Sequence, residues 1–493
     1  EQSRKPVALY WARTAICSNP SCKAEVPLLR GFYLCNKDKK KIYLDPAVNG
    51  TDIQFSIRTG TCKLKEWNHR GVMTCPCCHS VTDVETVKNQ SIHTGLKHRL
   101  LAVIVDTPKG KEYVTPSKKL LDLIDKGVTL SENAKPMEPM AVEYTQALPC
   151  CTWGISKWGD LFTDRQLFIL NRFIERFDKL RNCMVASSYN NAVVTYLAAW
   201  IDRIAAFSNS FCVWDSREII QRIMGRQAIP MVFDYPEVNP FSASTGSAEN
   251  HLEWIVSFLD TESFNPFMAE FNNSSSGEKH QYEEKSIDVT VTDPPYYDAI
   301  AYADCSDFFY VWLKRMVGDL YPINCSTPLT PKIEECTALK HHHAGNESAA
   351  KRHFECKLTE IFDSIEFQTS GLVSIMFAHQ STEAWTTLCN SILGARMNIT
   401  GSWAMDTEQN CGMKADKAYL ESSVTVSCRP SERKGFGDFA EVKAAIEKKV
   451  ADEVESLYQL GFRGADLLTA CFGQAVSEFG HYKTVEKADG TEV

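Results

Sequence analysis

Residues 286–313 read SIDVTVTDPPYYDAIAYADCSDFFYVWL, and this stretch decides the fold class. Ile287, Val289 and Val291 alternate with Asp288, Thr290 and Thr292. Alternation of β-branched and polar residues predicts a strand. The strand must stop at Asp293-Pro294-Pro295-Tyr296, because neither proline can donate to a ladder and each keeps the preceding residue extended. The aromatic-rich residues 302–316 predict a buried helix.

Working outward, residues 353–368 predict a helix and the apolar run 372–377 a strand that ends in Ala378-His379. A helix over 383–393 and strands over 397–403 and 423–427 follow, then helices over 436–478. Strands alternating with helices predict an α/β, doubly wound sheet. In such sheets ligands lie at the carboxyl ends of the strands, where Asp293 falls. Its carboxylate can accept a hydrogen bond from an exocyclic amine. The Pro294 carbonyl can accept the second amino proton, with Pro295 holding the backbone rigid, and Tyr296 offers a stacking face.

This constellation resembles the D-P-P-Y motif of amino-group DNA methyltransferases, which use S-adenosylmethionine and flip the target base out of the duplex. The aspartate form goes with N6 of adenine and the serine form with N4 of cytosine. Together with the cysteine pairs described next, FTDRQL at 162–167, GRQAIPMVFDYPEVNPFS at 225–242 and GADLLTACFGQA at 464–475, the chain resembles the zinc-ribbon-containing adenine-specific DNA methylases. The resemblance implies a Rossmann-like methyltransferase fold with an N-terminal zinc ribbon and a helical insertion. It makes Asp293, Pro294, Pro295 and Tyr296 the catalytic group, with Tyr296, Tyr297 and Asp298 on the substrate. Double-stranded DNA is the implied partner.

Nineteen cysteines in 493 residues, an odd number with no signal-peptide pattern, argue for reduced thiols and metal ligands rather than a disulfide framework. Cys17 and Cys22 flank a turn containing Pro20, and Cys75 and Cys78 flank one containing Pro76. Two such knuckles can hold one tetrahedral zinc ion. Cys77, His69 and His79 are rivals for the fourth place. Short strands and turns are expected between the knuckles.

The net charge of −9 excludes a uniformly basic nucleic-acid binder. Residues 1–80 carry 13 Lys+Arg against 6 Asp+Glu, leaving 40 against 56 for the remainder. A basic module on an acidic body can place DNA locally. No apolar run is long enough to cross a membrane, so a cytoplasmic protein is expected.

Five regions are expected: a zinc ribbon (1–80), a mixed connector (81–150), a mainly helical region suited to DNA target recognition (151–285), the catalytic half (286–435), and C-terminal helices with a tail (436–493). Thr163 predicts an N-cap before DRQLFILNRFIERFDKL, and a second helix is expected over 191–207. Residues 231–247 read as a polar loop, and His341–His343 as an exposed loop whose consecutive side chains cannot converge on one ion.

One departure from the family pattern bears on the cofactor. The Gly-rich loop that holds its methionine end, of the F-x-G-x-G kind, is not found, and no cofactor-binding residue is assigned beyond the candidate Asp293. The chain is therefore expected to be the later part of a split or truncated enzyme, with another polypeptide supplying that loop. The alternative is a catalytically incomplete DNA-binding or scaffold subunit of a restriction or anti-phage assembly.

Overall fold

The computed structural model describes residues 5–143, 146–225, 228–263, 267–379, 381–405, 423–459 and 463–493. The protein is mixed α/β. It divides into two compact units: Glu1–Phe267 with Tyr302–Pro331, and Met268–Ala301 with Lys332–Val493.

The first unit is built on β1 (Pro6–Ile16), which the sequence does not announce. Val7, Ala8, Tyr10, Trp11 and Ala12 are all buried, so both faces are covered and the period-2 signal is lost. After β1 come β2 (Glu25–Pro27), β3 (Tyr33–Lys37), β4 (Lys40–Asn49), β5 (Asp52–Thr59), β6 (Asn68–His69), β7 (Val72–Thr74), β8 (Val81–Thr82), β9 (Lys97–Thr107) and β10 (Gly110–Val114). Further on lie β11 (Val213–Asp215), β12 (Ile219–Gln221) and β13 (Asp234–Val238). The largest sheet runs β10-β9-β1-β13 with β2 also on β1, all antiparallel. The strands expected between the knuckles are found as β3 to β7, in two small sheets, β3-β4-β5 and β6-β7-β8, the second completed by β8 beyond Cys78.

The polar loop expected over 231–247 is in part a buried strand. All five residues of β13 are buried. Its acids tolerate this because distant residues neutralise them. Arg30 Nε donates to Asp234 Oδ1 at 2.8 Å and Tyr10 Oη to Asp234 Oδ2 at 2.7 Å. Arg165 grips both Glu237 oxygens at 2.7 Å. A buried charge needs such partners, and partners so far along the chain leave no local signal. Pro236 is allowed because β13 is an edge strand.

Helices α1 (Val84–Thr94), α2 (Lys118–Asp125), α3 (Asp164–Asn182), α4 (Ser188–Phe207), α5 (Ala248–Glu262) and α6 (Tyr302–Val317) complete this unit. Thr163 caps α3 through a capping box with Gln166, as its sequence predicts. The aromatic face of α6 is buried here: Phe308 stacks on Phe162 at 5.9 Å and Trp312 meets it edge-on at 5.4 Å.

The second unit holds β14 (Ile287–Thr292), α7 (Glu347–Gln368), β15 (Thr369–Phe377), α8 (Thr382–Gly394), β16 (Met397–Met405) and β17 (Ser423–Pro430). The sheet order is β14-β15-β17-β16. β14 and β15 are parallel, and β17 runs antiparallel to both of its neighbours. Phe354, Leu358 and Phe362 of α7 and Trp385, Leu388 and Ile392 of α8 join Val373, Ile375 and Phe377 of β15 in one core. Gly371 lets β15 approach β14 closely, since a Cβ there would stand 2.3 Å from the Asp288 carbonyl oxygen.

Two expectations change in this unit. Residues 340–343 form a 3-10 turn in which Lys340 is exposed but His341–His343 are half-buried rather than in an exposed loop, and the consecutive His341 and His342 do bring a ring nitrogen each within 4.8 Å of one another. Residues 434–438, partly inside the region expected to be helical, form β18 (Lys434–Asp438), parallel to β19 (Tyr482–Glu486). The helices α9 (Phe439–Gln459) and α10 (Gly464–Phe479) lie between them in sequence. Parallel pairing across an intervening pair of helices is set by tertiary contact, not by local pattern.

Candidate active site and metal centre

β14 delivers the motif at its carboxyl end. Asp293 is exposed, Pro294 buried, and Pro295, Tyr296 and Tyr297 half-buried. The edge of the Tyr296 ring meets Phe377, the last residue of β15, at 5.5 Å and 78°. The turn is tight. The Tyr297 N–H donates to the Pro295 carbonyl at 3.1 Å, and the Ala299 N–H to the Tyr296 carbonyl at 3.0 Å. Tyr297 adopts φ 56°, a left-handed conformation uncommon for a bulky residue and found mostly where surrounding structure holds it. What holds it is visible: its carbonyl accepts from the Ala338 N–H at 3.0 Å, and its ring packs edge-on against Phe354 at 5.2 Å and His379 at 5.7 Å.

His379 is the site residue that sequence reasoning missed. It follows β15, the parallel neighbour of β14, so both strands deliver polar residues at the same end of the sheet. The Ser381 N–H donates to His379 Nδ1 at 3.0 Å, which leaves the proton on Nε2 in the neutral ring. Nε2 faces Asp298 Oδ1 at 3.4 Å. The hydrogen bond from His379 holds the Asp298 carboxyl below the usual carboxylate range. The available signal was position: a histidine just past the apolar run 372–377 stands beside residues just past Thr292.

The structure thus gathers Asp293, the two prolines, Tyr296, Tyr297, Asp298 and His379 around one end of the β14–β15 pair. Chemically, an exposed carboxylate, a rigid backbone and an aromatic ring beside them can orient a flat, amine-bearing ring.

The four knuckle cysteines also come together, in the first unit. Their sulfurs all lie within 4.8 Å of one another. Cys17 Sγ is 3.6 Å from Cys78 Sγ, and Cys22 Sγ 3.8 Å from Cys75 Sγ. Four thiolates ~2.3 Å from one tetrahedral ion would stand about 3.8 Å apart, so the donor set fits a metal ion. Backbone turns shape both knuckles. The Cys22 N–H donates to Asn19, the Cys17 N–H to Ala24, the Cys75 N–H to Ser80 and the His79 N–H back to Cys75. Burial pushes the Cys17 thiol up to about 12, while hydrogen bonds from Ser80 bring Cys78 down to about 6. The rivals stand aside: His69 pairs with Glu66 at 2.8 Å, His79 is exposed, and Cys77 is not in the cluster.

Among the described residues no Gly-rich loop of the kind that holds the methionine end of S-adenosylmethionine is found. Gly246, with φ 80°, packs against Val238 and Ile220, and Gly473 lies inside α10 against Ser402 and Ile399. Gly246 does follow a strand, in the loop from β13 to α5, but it is the lone glycine of that loop, and Gly473 follows no strand. No helix among the described residues is long and apolar enough to cross a membrane. The described cysteines are free thiols.

Compared with known proteins, the chain matches no family model, no curated protein and no solved structure.

Proposed function

We propose that this chain is the base-binding part of an S-adenosylmethionine-dependent DNA methyltransferase that modifies N6 of a flipped adenine. The observation that carries the proposal is Asp293-Pro294-Pro295-Tyr296 at the carboxyl end of a parallel strand, with Asp293 exposed and Tyr296 braced by Phe377. Asp293 and the Pro294 carbonyl accept the two amino protons. That arrangement directs the nitrogen lone pair out of the hydrogen-bonded set and stabilises positive charge that develops on the amine. Tyr296 stacks on the base, a contact that contributes roughly 1–3 kcal/mol. Asp298 and His379 hold the turn that carries Tyr296 and Tyr297.

The methyl donor is held by a second polypeptide that carries the Gly-rich loop. β14 supports this reading. Among the described residues its outer edge pairs with no strand, and Val289 and Val291 are 54% and 77% exposed. The two valines leave one face of β14 uncovered, whereas parallel strands are ordinarily covered on both faces, and its unpaired edge is a template for pairing with another chain. We assign zinc to the four-cysteine cluster, as a structural ion with a closed coordination shell. A reducing compartment such as the cytoplasm suits the free thiols.

The test is product analysis. Duplex DNA incubated with both polypeptides and the donor is digested to nucleosides and examined by mass spectrometry. N6-methyladenine supports the proposal. N4-methylcytosine, or modification of RNA alone, rejects the substrate assignment, and no modified nucleoside moves the assignment to a DNA-binding subunit.

A further inference from the structure

Two of the sequence stretches singled out above, 162–167 and 225–242, have no part in the methyl-transfer proposal. In the first unit they meet. Thr163 and Arg165 of the first reach Glu237 of the second, with Arg165 bidentate at 2.7 Å. Beside them opens a cavity of about 600 Å³, lined among others by Trp11, Arg13, His98, Phe162, Ser210 and Tyr235.

Arg13 is 5% exposed and, among the described residues, has no carboxylate partner. Its Nε donates to the Val232 carbonyl at 2.8 Å, and its Nη2 to the Ser210 carbonyl and hydroxyl at 3.2 and 3.0 Å. Its guanidinium lies over the rings of Phe211 and Tyr235. A buried cation without an anion is costly and rare.

The groups around it are donors as well. Arg13 Nη1 can only donate, so His98 Nε2, 3.4 Å away, must accept. The His98 proton is then on Nδ1 and is donated to Tyr235 Oη at 2.7 Å. The Tyr235 hydroxyl proton, on a residue with no exposed surface, is left without an acceptor among the described residues. The buried Trp11 indole N–H also has none. Burial, then Arg13 and Arg165, pull His98 down to about 3, so the ring stays neutral and this donor pattern persists at any physiological pH.

Two carboxylates reach the lining. Asp160 is held by Lys135 at 2.7 Å and by the Lys157 N–H, and Asp164 is exposed at the start of α3. Neither reaches Arg13. The cavity is larger than a phosphate needs, and much of its remaining wall is apolar.

We infer that this cavity binds a nucleotide, with its phosphate on Arg13 and the unspent Trp11 and Tyr235 donors and its base in the apolar remainder. The inference does not depend on methyl transfer. The nucleotide comes either from the free pool or from a nucleic-acid strand.

Trp11 and Trp153 line the cavity, so binding should change tryptophan fluorescence in the full chain. The probes are adenosine 5′-monophosphate, adenosine and a short 5′-phosphorylated oligonucleotide. The monophosphate or the oligonucleotide should bind at least tenfold more tightly than adenosine, with whichever is tighter identifying the source. Arg13→Gln should remove that preference. Because Arg13→Gln could unfold the sheet, Trp11→Phe and Tyr235→Phe serve beside it, each expected to weaken the phosphate-bearing ligand several-fold and leave adenosine unchanged. Equal binding of adenosine and its monophosphate, or no binding of any probe, overturns the inference.

Discussion

His379 Nε2 faces Asp298 Oδ1 at 3.4 Å, joining the residues that follow two parallel strands. The Ser381 N–H on His379 Nδ1 fixes the ring so that Nε2 carries the proton. The pairing lowers the Asp298 pKa, so its contribution is present above the ordinary carboxylate pKa and is lost as pH falls through the lowered one. His379→Ala should return the Asp298 pKa to the usual carboxylate range, measured by NMR titration of its carboxyl carbon. An unchanged Asp298 would show that the contact is not formed in solution. Asp298 is 53% exposed, so the effect on stability should be small, within about 1 kcal/mol.

Tyr296 should separate ring from hydroxyl. Tyr296→Phe keeps the edge contact with Phe377 and should leave methyl transfer within a fewfold of the parent. Tyr296→Ala removes the stacking face and should reduce transfer by roughly ten- to a hundredfold, the equivalent of about 1–3 kcal/mol. Kinetics of the two variants in the two-polypeptide assay check this. Equal loss in both would assign the role to the hydroxyl.

Metal removal should unfold part of the first unit. Cys17 lies at the end of β1 and joins Cys75 in a hydrophobic core with Val26, Leu28 and Met73. One equivalent of zinc per chain is expected by elemental analysis. Cys75→Ala should abolish it and lower stability by roughly several kcal/mol, because binding free energy at such sites is also folding free energy. Cys77→Ala should keep the ion. Loss of zinc in Cys77→Ala with retention in Cys78→Ala would exchange the ligand assignment.

Gly371→Ala should weaken the β14–β15 pair. Its Cβ would press on the Asp288 carbonyl oxygen, which is backbone and cannot swing away. Overpacking of this kind costs about 1–3 kcal/mol, read as a lower thermal midpoint. A variant as stable as the parent would mean that the two strands stand further apart than described.

Much of the second unit was legible locally. β14, β15, α8, β16 and β17 sit where alternation and apolar runs place them, and Asp293-Pro294-Pro295 ends its strand for a reason carried by the prolines themselves. The knuckles were equally readable, because turn residues and thiol spacing are local. What escaped is what distant partners create. β1 reads as no strand because both of its faces are buried. β13 reads as a loop because its acids are neutralised by Arg30, Tyr10 and Arg165, as many as 224 residues away. His379 and Arg13 gain their meaning only from the neighbours that folding brings to them.

The central claim is that Asp293 and its turn present the adenine amine while a second polypeptide holds the donor. The most direct measurement is tritiated methyl transfer from S-adenosylmethionine to unmethylated duplex DNA, by this chain alone, with a polypeptide carrying the Gly-rich loop, and with that polypeptide and Asp293→Ala. Because Asp293 is exposed, the variant should fold normally. Transfer is predicted only in the second reaction. Transfer by the chain alone, or undiminished transfer with Asp293→Ala, would contradict the account.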